Sequence, residues 1–340
     1  MFAGHDYITS IIMPEPPFSL SSRCIHLIAD IAALLERYAL RMAGEDALRL
    51  RKANKIKTIQ GSLAIEGNTL SEQQITDILD GKRVLAPVRE IQEVRNALEA
   101  YEAFSSFDPM DVSDLLRAHG LMMQGLVQGS GQFREGNVGV FSGARVVHMA
   151  PPSSRVPYLM EDLFAWLDKS PDHMLVKSAV FHYEFEFIHP FSDGNGRMGR
   201  LWQSLLLSQW NPVFAHLPVE NIVHARQEAY YEAIARSTEK ADSGIFVEFM
   251  LEAIWSILEE RLKIGGVNGG VNGVEGRIRE LIALQPGLNA RTMAGQLQDV
   301  PLRTLQRHLQ KMQLLGLLEF RGAAKTGGYF LKEKLQEPER

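Results

Sequence analysis

The run Phe187-Ile188-His189-Pro190-Phe191-Ser192-Asp193-Gly194-Asn195-Gly196-Arg197-Met198-Gly199-Arg200 limits what this chain can fold into more than any other stretch. An apolar helical pattern ends at His189, a loop with two glycines follows, and a second helix opens carrying Arg197 and Arg200. Pro190 disfavours αR at the residue before it, so the first helix stops there with the imidazole at the loop mouth. Gly194 and Gly196 give the backbone access to φ > 0. That turns successive N–H groups inward at a helix start, an arrangement that binds phosphate oxygens. Asp193 is a hard carboxylate of the kind that shares Mg2+ with a nucleotide. Arg197 and Arg200, three apart on a helix, reach one ligand from adjacent turns. A nucleotide, Mg2+ and a general base are therefore expected together. A Walker A loop is excluded, because no Gly-Lys-Ser/Thr follows and helices rather than a strand precede.

At all eight defined positions the run resembles the signature H-x-F-x-D-G-N-G-R-x-x-R of the Fic (filamentation induced by cAMP) family. The resemblance implies a mainly α fold, a helical core with a β-hairpin flap. It also implies a protein adenylyltransferase: the histidine deprotonates a hydroxyl of a target protein, which attacks the α-phosphate of ATP and releases pyrophosphate. By position, His189 is then the base and Asp193 the Mg2+ ligand. Asn195 and the amides of Gly194 and Gly196 hold the α- and β-phosphates, Arg197 neutralises the β-phosphate region, and Arg200 holds the γ-phosphate.

A helix expected from about residue 45 closes with Ser62-Leu63-Ala64-Ile65-Glu66-Gly67-Asn68. Gly67 suits the position just past the helix end, and Ser62 and Glu66 lie a turn apart on one face. Ser71-Glu72-Gln73-Gln74 reads as a capping box that starts the next helix. Beside the first motif, this stretch resembles the family's inhibitory signature S/T-x-x-x-E-G/N, placed N-terminal to the core. The resemblance implies a salt bridge from Glu66 to Arg200. A guanidinium paired bidentately with a carboxylate is not free for phosphate.

Val138, Val140 and Phe141, a Ser142-Gly143 turn, then Val146-Val147-His148-Met149, predict a hairpin. It resembles the Fic flap, which pairs with an extended target segment by strand addition. Val146, Val147, His148 and Met149 would be its nucleotide-side strand. Arg226 to Ala233 resembles the family's Tyr-Tyr helix, which brings Tyr231 to the adenine. His119, among Leu115, Leu116 and Met122, reads as a packed histidine satisfied by the backbone. His182, Glu186 and His189 share one face of the helix entering the motif. No zinc spacing or third ligand accompanies them, and Glu186 is a candidate to orient His189.

A chain of 340 residues is long for one core. The expected division is 1–110, a helical region with the inhibitory helix; 111–262, the Fic core; 263–273, a glycine-rich linker; and 274–335, a winged helix-turn-helix. The linker Gly265-Gly266-Val267-Asn268-Gly269-Gly270-Val271-Asn272-Gly273 is too glycine-dense to hold a helix. In the last segment three short amphipathic helices precede two strands, and Arg303, Arg307 and Lys311 repeat on the face opposite the leucines. Residues 274–340 carry 11 Lys+Arg against 7 Asp+Glu, +4 in a chain of net charge −5. Such a face suits DNA phosphates, although winged helices also mediate protein contacts. The single cysteine, Cys24, permits no intrachain disulfide. The N-terminus lacks a signal-peptide pattern and no apolar run is of membrane-spanning length, so a cytoplasmic place with no membrane partner is expected. ATP, a target protein, DNA and a second copy of the chain are the candidate partners. The function classes are two: an AMP-transferring enzyme restrained by Glu66, or a DNA-binding regulator whose nucleotide pocket senses.

Overall fold

Helix α7 (Met174–Ile188) is apolar on two faces, so it must lie inside the others. The computed structural model, which describes residues 15–42, 47–142, 145–267, 274–297, 300–314, 317–323 and 327–332, buries 11 of its 15 residues. Two compact units emerge, Met1–Leu258 and Glu259–Arg340.

In the first unit the chain forms α1 (Ser22–Met42), α2 (Ala47–Ile65), α3 (Glu72–Leu79), α4 (Val88–Glu102) and α5 (Val112–Met122). The hairpin β1 (Gly139–Ser142) and β2 (Arg145–Met149) follows, then α6 (Val156–Lys169), α7, α8 (Asn195–Trp210), α9 (Val219–Ala225), α10 (Gln227–Lys240) and the part of α11 (Gly244–Val267) up to Leu258. Helix α7 packs along α8 and against α6, while α5 lies on α8 and α4. Trp202 of α8 and Phe181 of α7 are fully buried, and the ring of Phe164 from α6 meets both. Helix α2 rests on α9, α3 and α4.

Local sequence sets the ends of these helices. Ser71 and Gln74 form the expected capping box on α3. Asp111 accepts from the Ser113 N–H, so α5 begins at Val112. At the end of α2, Gly67 has φ +92°. Its N–H donates to the Ala64 carbonyl at 3.0 Å and that of Asn68 to the Leu63 carbonyl at 3.1 Å, a Schellman closure. Glu66 is thereby fixed as the residue on which the helix turns off.

One expectation is corrected. Helix α11 runs through Gly265 and Gly266 to Val267, into the stretch expected to be linker. Each glycine costs only about 1 kcal/mol relative to alanine, and extending a long helix needs no new nucleus. The rest of that stretch, 268–273, lies outside the described residues.

The second unit carries α12 (Val274–Leu284), α13 (Ala290–Gln296), α14 (Leu302–Leu314) and the antiparallel strands β3 (Leu318–Arg321) and β4 (Gly328–Leu331). A bridge from Leu288 to Tyr329 adds a third backbone segment at the edge of β4. Ile278, Ile282, Met293, Leu297, Leu305, Leu309, Met312 and Leu318 make its core, while Arg303 and Arg307 are exposed. Among the described residues no helix is long and apolar enough to cross a membrane.

Candidate active site

His189 ends α7 in the left-handed region, φ 50° and ψ 62°, with its N–H still donating to the Phe185 carbonyl. Only His189 and Ala241, among the described non-glycine residues, have positive φ. Such a backbone costs an L-residue about 1–2 kcal/mol, so surrounding bonds must hold it. The imidazole keeps a side-chain exposure of 20% and brings Nδ1 within 3.3 Å of the Glu186 carbonyl.

The loop beyond it is braced from inside. Asn195 accepts from the Phe191 N–H at 2.8 Å and donates to the Phe191 carbonyl at 2.9 Å. Its side chain is therefore committed to the loop. What it can offer an anion is its backbone N–H. Gly194 has φ +87°, and a Cβ there would meet Met123 Sδ at 2.6 Å. His119 stacks on Phe191 with ring centroids 3.7 Å apart. The Gly131 N–H donates to His119 Nδ1 at 2.9 Å, which leaves the proton on Nε2 to reach the Asp193 carbonyl at 3.0 Å. Burial presses the His119 pKa down to about 4 and keeps that ring neutral.

Both arginines of α8 are buried. Arg197 Nη2 lies 3.1 Å from Asp193 Oδ1, and its Nε, buried, has no partner among the described residues. Arg89 Nη2 approaches the other Asp193 oxygen at 3.4 Å. Arg200 Nε donates to Ser62 Oγ at 3.1 Å, and its Nη2 donates to the Ser62 carbonyl at 3.0 Å and to Glu66 Oε1 at 2.7 Å. Burial works against the Arg200 charge, but Glu66, together with Tyr230 and Glu186, more than offsets it and holds the guanidinium above its ordinary pKa. A Cβ on Gly196 would run into Glu66 Oε1 and come within 2.9 Å of Arg200 Nη1, so that cradle is kept open by the missing side chain.

Behind this front lies a buried polar layer. His182 Nδ1 is 2.6 Å from Gln203 Oε1 and its Nε2 is 3.1 Å from the Tyr230 hydroxyl. Glu186 stands 3.9 Å from both His182 and His189, and burial pushes its pKa up to about 7. Tyr231 is half-buried, and burial together with Glu66 raises its phenol. Among the described residues no group of three His, Cys, Asp or Glu could hold a metal. Asp193, its side chain 40% exposed, fits the way Mg2+ is bound through one carboxylate shared with phosphate oxygens.

In the flap, β1 pairs with β2 from Gly139↔Met149 to Ser142↔Arg145, with a bulge between Val140 and Phe141. Strand β2 touches α10. Met149 is exposed, while the side chains of Val146, Val147 and His148, and the turn at Gly143, lie outside the described residues. Sequence reasoning missed Arg134. Its guanidinium and backbone N–H bond the carbonyls on both sides of the flap and of His189, and nothing in its spacing signals this.

Residues 109–207 match the model of the Fic/DOC family. A Fic family protein of known structure from Desulfovibrio desulfuricans G20 is 42% identical, covers 95% of this chain and is itself covered over 100% of its length, with a TM-score of 0.71. The chain belongs to the Fic/DOC family. Fic-1 from C. elegans shares the fold at 21% identity and TM-score 0.58, over 70% of this chain and 72% of that one. Proteins named protein adenylyltransferase Fic, from Drosophila erecta and Aedes aegypti, are 28% and 29% identical over 66% and 64% of this Fic chain. The chain spans 46% and 44% of those two relatives.

Proposed function

We propose that this Fic protein transfers AMP from ATP to a hydroxyl of a target protein, and that Glu66 restrains it. The observation that carries the proposal is the convergence of one imidazole, one glycine-lined helix start and two arginines, the second of which a carboxylate from α2 already occupies. With Nδ1–H donating to the Glu186 carbonyl, Nε2 of His189 is the basic nitrogen. It takes the hydroxyl proton as the oxygen attacks the α-phosphorus. The bond from that phosphorus to the bridging oxygen breaks, and pyrophosphate leaves with the electron pair. The N–H groups of Gly194, Asn195 and Gly196 would hold the α- and β-phosphates, with Arg197 beside the β- and Arg200 beside the γ-phosphate. When bound, Mg2+ would be held by Asp193 and would offset charge on the departing pyrophosphate. An extended target segment would add to the flap beside Val146, Val147, His148 and Met149, its hydroxyl facing His189. Tyr231 would border the adenine.

While Glu66 keeps Arg200, a γ-phosphate loses its cation and meets a like charge. Glu66→Gly protein given labelled ATP and Mg2+ is expected to label itself, and His189→Ala in that background to abolish the label. Nucleotide binding without transfer to any protein would instead favour the regulator. For the second unit we propose a winged helix that places Arg303 and Arg307 of α14 against DNA phosphates.

A further inference from the structure

Arg134 is a buried cation, 6% exposed, whose described partners are all carbonyl oxygens. Nε donates to the His189 carbonyl at 2.7 Å and Nη2 to that of Ile188 at 3.3 Å. Nη1 donates to the Gly136 carbonyl at 2.8 Å, before β1, and Nη2 to the Pro151 carbonyl at 2.5 Å, after β2. The Arg134 backbone N–H adds a bond to the Pro190 carbonyl at 2.9 Å. The same feet are tied again by Ser153, whose Oγ donates to the Glu135 carbonyl at 2.6 Å and whose N–H donates to Asn137 Oδ1 at 3.0 Å.

Two of those carbonyls belong to the C-terminal end of α7, where helical carbonyls lack partners and the dipole favours a cation. The other two belong to the flap. Burying a charge with no counter-charge is costly, and desolvation lowers the Arg134 pKa accordingly. A planar fork can span four carbonyls; a lysine ammonium is a point charge and cannot. Phe133, next to it, packs its ring against Phe191 with centroids 5.8 Å apart, a further contact between this segment and the loop.

We infer that Arg134 is a positioning residue for the transfer: it joins the left-handed backbone of His189 and both feet of the flap into one rigid piece. A hydroxyl presented by the flap then arrives in register with the imidazole. The inference rests on the transferase reading for its rate consequence, but its geometry stands apart. None of its described bonds reaches Asp193 to Arg200, so nucleotide binding and transfer must respond differently to its loss.

The test uses full-length Glu66→Gly protein carrying Arg134→Gln or Arg134→Lys. A non-hydrolysable ATP analogue is expected to bind within about threefold of the parent. Transfer at saturating ATP, normalised to the number of binding sites, is expected to fall about ten- to a hundredfold, the scale of an ångström-sized misplacement. Arg134→Lys keeps the charge and serves where Arg134→Gln does not fold; it is expected not to restore the rate. The His189 ring resonance, assigned by its absence in His189→Ala, is expected to move in both. Transfer at the parental rate, full rescue by lysine, or a loss of analogue affinity in step with the rate would each overturn the inference. A parent that never labels would defeat the transferase reading alone; Arg134 would then be judged by the His189 resonance, and an unmoved signal would overturn it.

Discussion

Arg200 lies in the field of three carboxylates, Glu66, Glu186 and Glu220, and among its described hydrogen bonds only that to Glu66 reaches a carboxylate. Glu220 is 2% exposed, accepts from Ser204 Oγ at 3.0 Å, and is pushed by burial from its ordinary 4.5 to about 7. Between those two values the folded chain holds a proton that the unfolded chain has released, so this residue's contribution to stability falls as pH rises through the window. His119 and His182, pressed down to about 4 and about 3, act in the opposite sense below 6.5. The clean measurement is therefore a difference. Glu220→Gln is expected to match the parent near pH 5 and to exceed it by about 2–3 kcal/mol near pH 8, in denaturant melts at both values. A gain that does not grow with pH would show that Glu220 is not held protonated by burial.

At the scale of the element, the restraint is a property of α2 as a whole. Gly61 sits mid-helix, where glycine is a poor choice, because a Cβ there would come within 3.0 Å of Asn221 N, Asn221 Oδ1 and Glu220 C on α9. Gly61→Val should push α2 off α9 and loosen Glu66 from Arg200 without altering either residue. Basal self-labelling is expected to rise above that of the unmodified protein; unchanged labelling in a folded Gly61→Val variant would mean that α2 is not seated by this contact. The elements easiest to read in the sequence were those whose partners are near in the chain: the capping box at Ser71, the Schellman end at Gly67, and the helix-loop-helix around His189. His119 was legible as a packed histidine satisfied by the backbone, but which backbone groups satisfy it was not. Arg134 escaped because its partners are backbone carbonyls brought in by the fold, and backbone groups leave no mark in residue spacing. Asn195 was legible as part of a motif, but not that its side chain would turn inward to Phe191. The glycines at 265 and 266 were read by local propensity, which the long helix entering them overrides.

For the whole molecule, the two units divide the charge unevenly. Residues 274–340 are +4 while the chain as a whole is −5. If α14 meets DNA phosphates through Arg303 and Arg307, full-length protein should bind a labelled duplex at low salt. Replacing both by alanine should weaken binding to every sequence alike and reduce the log–log salt slope by about 2. No binding at about 50 mM salt would remove DNA from the candidate partners and leave the protein-contact reading of this unit.

The left-handed peptide at His189 makes alanine an impure probe of proton transfer. Alanine relaxes readily toward ordinary dihedrals, so exchanging the imidazole for a methyl group discards the basic nitrogen and also releases the strain that shapes the turn into Pro190. Asparagine tolerates the same dihedrals and carries no titrating nitrogen. Set side by side, the two replacements separate what the ring does from what its backbone does.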